Sequence, residues 1–285
     1  MMDRFRVSPF FKLPSIRHIY HLSLRTVLHS KLEVLHSASR LFRQSLAIDM
    51  GDSRSHSGIF IAIEGADRTG KSTQASLLAD ALTKLTGRTA LLLKFPDRDT
   101  ALGKCLDNYL KGDTDVDTHA LHLLFTANRW EKQDELRSAL SSGCCVVADR
   151  YSYSGIAYTA AKPPPTPSWQ WCCAMEKGLV EPDLVICLTP EHFDHLKDRN
   201  GYGTERYETE DFQRRVLENY TRLAKDAQYT DYSELGVENP DNATQFWHFV
   251  QATNKTMDQV HECVMAIVKR KLESMKLPEI SDTDI

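Results

Sequence analysis

The sequence predicts an α/β fold in which a parallel β-sheet carries helices on both faces. From residue 58 onward, short apolar runs alternate with longer segments whose apolar residues recur at helical spacing. This alternation is typical of strand–helix–strand units, whose crossover helices cover both sides of a sheet. One apolar run also leads directly into a glycine-rich loop and a helical segment. Ligands of such sheets bind at the carboxyl ends of the strands.

Five strands and five helices account for the alternation. The apolar runs place strands at 59–63, 89–95, 144–148, 183–188 and 246–252. The helical segments lie at 73–85, 101–110, 116–140, 211–227 and 257–272. We predict one long helix over 116–140, because its apolar residues keep helical spacing throughout. The proline-rich stretch at 162–167 and the polar stretch at 229–242 predict surface loops.

The composition is that of a globular protein with a sizeable core. The chain has 285 residues, of which 41% are hydrophobic and 26% charged, and its net charge is -4. That charge argues against a general nucleic-acid binder. No apolar run approaches the ~20 residues that span a bilayer. We therefore expect neither a nucleic-acid partner nor a membrane span.

Residues 1–57 differ from the rest in charge. Nine Lys and Arg face four Asp and Glu there, a net +5 that leaves -9 for the remainder of a chain totalling -4. A basic, serine-containing, acid-poor segment is typical of a mitochondrial transit peptide, and an untargeted extension is the alternative. The seven cysteines form no Cys-x-x-Cys pair and predict free thiols in a reducing compartment. We expect an intracellular protein, in the cytoplasm or nucleus, or in mitochondria if 1–57 is a transit peptide.

The loop after the first strand has the pattern Gly-x4-Gly-Lys-Ser. Its two glycines let consecutive backbone N–H groups face inward, and these groups and the following helix N-terminus bind an anion. Lys71 can reach the β- and γ-phosphates of a nucleotide, and the Ser72 hydroxyl can ligate Mg²⁺. The candidate nucleotide-binding residues of this loop are Gly65, Ala66, Asp67, Arg68, Thr69, Gly70, Lys71, Ser72 and Thr73.

Four further clusters carry polar and aromatic side chains. They read Phe-Pro-Asp-Arg at 95–98, Leu-Phe-Thr-Ala-Asn-Arg-Trp-Glu at 124–131, Asp-Arg-Tyr-Ser-Tyr-Ser-Gly-Ile-Ala-Tyr at 149–158, and Arg-Asn-Gly-Tyr-Gly-Thr-Glu-Arg-Tyr-Glu at 199–208. The first and third clusters follow strand ends, as the glycine-rich loop does. We therefore expect all three to share one cleft.

Taken together, these motifs resemble the thymidylate kinase family, whose members phosphorylate dTMP with ATP. The resemblance covers roughly 58 to 272. It implies the P-loop kinase fold with a mobile lid, ATP and Mg²⁺ as cofactors, dTMP as the acceptor substrate, and a homodimer. We expect a basic extension at 1–57, a kinase domain at 58–275 and a C-terminal tail at 276–285, with a product, dTDP, that serves dTTP synthesis.

The resemblance assigns the base and acceptor-phosphate contacts. Phe95 is one of the implied substrate-binding residues. Arg98 would grip the dTMP phosphate, since a guanidinium fork suits phosphate better than an ammonium. Phe125 would stack on the thymine ring. Arg129, one helical turn further on, would donate to a thymine carbonyl and select against cytosine. From the residues alone, helix core for Phe125 and a surface ion pair for Arg129 remain alternatives.

The same resemblance assigns the centre of the cleft and the lid. Asp149 would hold Mg²⁺ as a Walker-B aspartate does, and Arg150 would contact a phosphate. The remaining implied contacts are Ser154 and Gly155 along the base and ribose, Tyr158 at the sugar 2′ position, Asp67 on the 3′-hydroxyl, Arg199 over adenine and Tyr207 near thymine. The lid is the segment 199–208, and an ordinary charged loop is its alternative.

Arg68 is the expected catalytic side chain within the glycine-rich loop. The resemblance places a catalytic basic residue either there or in the lid, and Arg68 follows the eukaryotic-like arrangement. It would act with Lys71, Asp149 and Arg150 on the transferring phosphoryl group. Two other functions remain open from the sequence: another nucleoside monophosphate kinase, of the UMP or CMP type, or a catalytically silent P-loop scaffold.

Overall fold

A five-stranded parallel sheet forms the centre of the computed structural model. The structure describes residues 57–191, 206–207, 209–229 and 246–275, all within the unit that runs from 54 to 285. The strand order is β2-β3-β1-β4-β5. The strands are β1 Phe60–Gly65, β2 Leu91–Lys94, β3 Val146–Asp149, β4 Leu184–Thr189 and β5 Trp247–Gln251. All five predicted strands are confirmed.

The strand register brings the ligand-side ends together. Ile63 of β1 and Lys94 of β2 both pair with Asp149, the last residue of β3. On the other side of β1, Gly65 pairs with Leu188 of β4. The loops that follow β1, β2 and β3 therefore leave the same edge of the sheet, where the site lies.

The described residues contain eight helices, of which α5 and α6 have no counterpart among the sequence predictions. They are α1 Lys71–Thr86, α2 Ala101–Lys111, α3 Thr118–Trp130, α4 Gln133–Ser141, α5 Ser152–Ala160, α6 Trp169–Met175, α7 Glu210–Tyr229 and α8 Met257–Ser274. Side-chain caps begin several of them. Thr100 accepts from the Gly103 N–H, Asp117 accepts from two N–H groups of α3, and Thr256 forms a capping box with Gln259.

The predicted single helix over 116–140 is wrong, because the chain breaks into α3 and α4 after Trp130. Lys132 leaves helical geometry, with φ -106° and ψ 1°. Gln133 is buried, and its side chain donates to the Arg129 carbonyl at 3.1 Å and to the Tyr151 hydroxyl at 3.0 Å. The Arg129 carbonyl thus accepts from this side chain and, at 3.2 Å, from the Lys132 N–H, which is a tighter turn than an α-helix makes. The spacing of apolar residues does not indicate where a side-chain donor takes the place of a backbone N–H.

Each face of the sheet buries its own apolar layer. Residues such as Phe60 and Val146 face α2, α3, α5 and α7, whereas Ile61 and Val147 face α1 and α8. The sheet is thus covered on both sides, as predicted. Among the described helices, none combines the length and apolar character needed to cross a membrane.

Candidate functional site

A cavity of about 440 Å³ opens at the ligand-side edge of the sheet. Its walls come from the loops after β1, β2 and β3 and from α3 and α5. Such a cleft, at the carboxyl ends of parallel strands, is where this architecture binds ligands. Charged groups of the glycine-rich loop form one part of the wall, and the aromatic ring of Phe125 with the guanidinium of Arg129 forms another. We refer to these two parts as the two ends of the cavity.

The glycine-rich loop has the backbone geometry of an anion-binding loop. Gly70, the N-cap of α1, lies at φ 90°, and Gly65 lies at φ 134°. A Cβ at Gly65 would collide with the Leu188 carbonyl oxygen of β4, so only glycine lets the loop pass this close to the strand. Arg68 is also held at positive φ, 64°, which is an uncommon conformation for a side-chain-bearing residue. The loop therefore ends at the N-terminus of α1, where N–H groups are unpaired within the helix.

Lys71 lies at the first position of α1 with its ammonium folded into the loop. Its Nζ donates to the Ala66 carbonyl at 2.5 Å. Burial, and then the nearby charge of Arg150, lowers the pKa of Lys71 to about 8. An anion bound in the loop would favour the charged ammonium and raise that pKa again. The side chain is thus in place to respond to bound phosphate.

Ser72 and Asp149 form a candidate magnesium site. The Ser72 hydroxyl donates to the Asp149 carboxylate at 2.5 Å, joining the first turn of α1 to the end of β3. Mg²⁺ prefers oxygen ligands and keeps several waters, so it needs only one or two protein groups besides substrate phosphates. A hydroxyl beside a carboxylate meets that need. The described residues contain no cluster of three or more His, Cys, Asp or Glu that could hold a metal alone.

A four-residue network lies between the two ends of the cleft. The Arg150 guanidinium pairs with the Asp67 carboxylate, and Tyr158 donates to the same Asp67 oxygen at 2.9 Å. Gln213 of α7 donates to the other Asp67 oxygen at 2.6 Å and accepts from the Asp67 N–H at 2.7 Å. Burial favours neutral Asp67, but the charges of Arg150 and Lys71 and the hydrogen bonds from Tyr158 and Gln213 together outweigh it, so the pKa of Asp67 is lowered. The carboxylate therefore stays ionised and can accept one more hydrogen bond.

Arg98 and Phe125 also line the cavity. Arg98 pairs with Asp107 of α2 at 2.6 Å and keeps 39% of its side chain exposed. Phe125 is partly buried and packs against the larger apolar cluster. Its position supports both interpretations made from sequence, since the ring packs on the helix core and still lines the cavity. Phe95 is buried and packs on Tyr151, with ring centroids 5.6 Å apart.

Arg129 is buried at the far end of the cavity. Its Nε donates to Glu176 at 2.9 Å and its Nη2 donates to the other oxygen of that carboxylate. The side chains of Arg129 and Glu176 are 3% and 4% exposed. The surface ion pair considered as an alternative for Arg129 is therefore wrong.

The base of the predicted lid packs on α2. Tyr207 donates to the Tyr109 hydroxyl at 2.8 Å and stacks on Phe212, with ring centroids 4.7 Å apart. Arg206 pairs with Asp115 at 2.7 Å. Of the predicted lid, only Arg206 and Tyr207 are described, so the prediction for Arg199 lies outside the described residues.

The cavity brings together most of the site residues predicted from sequence. Those lining it are Asp67, Arg68, Gly70, Lys71, Ser72, Thr73, Phe95, Arg98, Phe125, Arg129, Asp149, Arg150, Ser154, Gly155, Tyr158 and Tyr207. Gly65, Ala66 and Thr69 support the loop from behind: the Ala66 carbonyl accepts from Lys71 and from Thr69.

Several side chains that organise the site belong to no sequence motif. Glu64 is fully buried and accepts from the Tyr151 N–H, the Ser154 hydroxyl and the Tyr220 hydroxyl. It thereby ties β1 to the start of α5. Glu176 and Gln213 act from α6 and α7 in the same way. The available signal for Glu64 was an acidic residue within an apolar strand, which is costly unless it is hydrogen-bonded.

Comparisons with known proteins agree on one family. A family model described as thymidylate kinase matches residues 63–245. The thymidylate kinase of Dictyostelium discoideum is 37% identical over 79% of this chain and 90% of its own length. The human thymidylate kinase is 40% identical over 74% of this chain and 89% of its own length. A solved thymidylate kinase from Candida albicans, 36% identical, aligns over 77% of this chain and 93% of its own with a TM-score of 0.61.

Proposed function

Because this chain belongs to the thymidylate kinase family, we propose that its cleft transfers the γ-phosphoryl group of ATP to dTMP, giving dTDP and ADP. One observation carries the proposal. A single cavity has a glycine-rich anion-binding loop at one end and an aromatic ring beside a buried guanidinium at the other. Two nucleotides bound end to end would place their phosphates between these ends, where Lys71, Arg98 and Arg150 supply positive charge.

The donor end supports phosphoryl transfer by charge stabilisation. The loop amides and Lys71 would hold the β- and γ-phosphates of ATP. Ser72 and Asp149 would hold Mg²⁺, which supplies charge neutralisation on the phosphate oxygens when bound. Arg68 of the glycine-rich loop would donate to the γ-phosphoryl oxygens as their negative charge grows. Catalysis would then rest on positioning and on charges already in place.

The acceptor end supports dTMP. Phe125 would stack on the thymine ring and Arg129 would donate to a thymine carbonyl. Cytosine presents an amino group where thymine has a carbonyl, so a buried donor there disfavours CMP and dCMP. Asp67 retains one acceptor position for the sugar 3′-hydroxyl, and Tyr158 lies beside it. Arg98 would hold the acceptor phosphate.

The test is a panel of acceptors assayed with ATP and Mg²⁺. We expect ADP release to be fastest with dTMP and much slower with UMP, CMP and AMP. Equal rates with dTMP and UMP would contradict the thymidylate assignment. No phosphoryl transfer to any acceptor, with nucleotide binding intact, would favour a silent scaffold.

We infer the remaining properties from the family resemblance and the sequence. The kinase domain spans 58–275 and the protein is a homodimer. The exposed Leu123 and Trp130, seven residues apart on α3, suit a face that packs against another chain. Removal of residues 1–57 would leave turnover intact. Microscopy of the full-length and shortened proteins would separate a mitochondrial location from a cytoplasmic or nuclear one.

A further inference from the structure

Glu176 holds one edge of the Arg129 guanidinium. It lies at the C-terminal end of α6, 47 residues after Arg129 in the chain. Its two oxygens accept from Nε and from Nη2, and Oε1 also accepts from Thr126 at 3.0 Å. Arg129 Nη1 donates to no protein atom within the described part of the chain, although Arg129 lines the cavity. The bidentate pair thus fixes the guanidinium of Arg129 and leaves the edge that carries Nη1 for a ligand.

Fold stability alone does not explain this pair. The free energy needed to remove two charges from water is often larger than the gain from their attraction. Apolar side chains of similar volume often stabilise a fold as well or better. Burial raises the pKa of Glu176, and the charge of Arg129 opposes that rise. The nearby guanidinium is thus the strongest influence that favours the ionised form of this carboxylate.

Two neighbours shape the space around the pair. A Cβ on Gly155 of α5 would lie 2.6 Å from Arg129 Nη2 and 2.6 Å from Glu176 Oε1, so glycine is needed for the pair to close. His122 bonds Thr159 through Nδ1 at 2.8 Å, and its Nε2 lies 3.5 Å from Glu176 Oε1 without a hydrogen bond. The pair is therefore enclosed by α3, α5 and α6, and the guanidinium has one fixed orientation.

We propose that Glu176 is a positioning residue for base selection: it aims Arg129 Nη1 at the carbonyl that distinguishes thymine and uracil from cytosine. This inference rests on the proposed function. Without Glu176, the guanidinium could turn away from the base, and the donor that penalises an amino group would be lost. Base discrimination in this cleft would then depend on a residue that never touches the substrate.

The test is Glu176→Gln in the full-length protein, with dTMP, dUMP and dCMP as acceptors. Glutamine keeps the shape but opposes Arg129 with an NH₂ group. We expect KM for dTMP to rise about tenfold or more, with kcat and the KM for ATP little changed. The kcat/KM ratio of dTMP to dCMP should fall about tenfold or more, whereas the ratio of dTMP to dUMP should stay constant because both bases carry the same carbonyl.

Three further variants separate positioning from folding. Asp134→Asn removes the same charge from a fully exposed side chain of α4 and should change nothing. Glu176→Asp keeps a carboxylate and should restore part of the discrimination, which also covers the case in which Glu176→Gln does not fold. In an Arg129→Met background, Glu176→Gln should not change the dTMP to dCMP ratio further.

Unchanged discrimination in a folded Glu176 variant would overturn the inference. So would an equal loss of activity toward dTMP and dCMP alongside a lower Tm, because that pattern marks a purely structural role. Both outcomes leave the proposed function standing, since they are read from variants of an enzyme that phosphorylates dTMP. A wild-type protein that does not phosphorylate dTMP would overturn the proposed function and this inference with it.

Discussion

The two ends of the cleft are built in different ways. At the phosphate end, Lys71 and Ser72 are neighbours in one loop and first helical turn, and Asp149 reaches them through strand pairing. At the base end, Arg129 from α3 depends on Glu176 from α6. The proposed phosphate site is thus built from local backbone geometry, whereas the proposed base site is built from side chains distant in sequence. Substitutions at the phosphate end should therefore change turnover, and substitutions at the base end should change nucleotide choice.

The largest expected effect is on turnover at the phosphate end. Arg68→Gly should lower kcat by about 10³-fold or more while dTMP affinity survives, because the arginine acts on charge that grows in the transition state. Glycine also suits the positive φ of 64° at this position, so the loop keeps its shape. Rapid-quench turnover and calorimetric dTMP binding would measure the two quantities.

Asn254→Gly is the matched control for Arg68→Gly. Asn254 also lies at positive φ, 59°, and is exposed. It should leave kcat unchanged. Wild-type turnover in Arg68→Gly would mean that this arginine is not catalytic and that the two ends are not separable in this way.

The next effect is on nucleotide choice at the base end. Arg129→Met should weaken the preference for dTMP over dCMP by about tenfold to a hundredfold, since a lost base contact is worth roughly 1–3 kcal/mol. Arg137→Met, on the exposed side of α4, is the control and should leave the preference unchanged. Competition assays with both acceptors would report the ratio. A preserved ratio would place base selection elsewhere.

A pH effect of about tenfold per unit should follow from Lys71. Its pKa is about 8, so raising the pH above 8 removes the charge that attracts ATP. We expect kcat/KM for ATP to fall above pH 8, whereas kcat stays flatter because bound phosphates raise the pKa of Lys71. Initial rates from pH 6.5 to 9.5 would test this.

Lys162 needs a separate control in that experiment. Burial also lowers its pKa to about 8, and it lines the same cavity. Lys162→Met should retain the decline above pH 8. A decline that vanishes in Lys162→Met would assign the titration to Lys162 and not to Lys71.

The last expected effect is on stability at the base end. Burial lowers the pKa of His122 to about 4, below its unfolded value of 6.5, so the unfolded chain binds more protons between these values. His122 thus contributes stability above pH 6.5 that is lost as the pH falls toward 4. Between pH 7 and 5, the free energy of unfolding should fall less in His122→Gln than in wild type, and the difference should be on the order of 2 kcal/mol. Urea unfolding measures it.

His119→Gln is the control, because His119 lies on the exposed side of the same helix with 52% of its side chain accessible. It should unfold with the pH dependence of wild type. An unchanged pH dependence in His122→Gln would show that His122 is not buried in the neutral form.

The phosphate end of the cleft could be predicted from the sequence more fully than the base end. Gly65, Gly70, Lys71 and Ser72 have fixed spacing because neighbouring backbone groups form the loop, so a motif reveals them. The central strands β1, β3 and β4 were predictable because both of their faces are buried and their apolar runs are continuous.

Long-range partners were not predictable in this way. Glu176 directly follows α6, a short helix with no motif, and its importance appears only when α6 packs against α3. Gln213 meets Asp67 across 146 residues of chain. The break between α3 and α4 depends on hydrogen bonds of the Gln133 side chain, which apolar spacing cannot indicate. Folding must bring such pairs together before their role becomes visible.

A crystal structure with dTMP and a non-hydrolysable ATP analogue tests the account most directly. It should show the analogue's phosphates in the glycine-rich loop near Arg68 and Lys71, Phe125 stacked on thymine, and Arg129 Nη1 within hydrogen-bond distance of a thymine carbonyl. A monophosphate bound with its base away from Phe125 and Arg129 would contradict it.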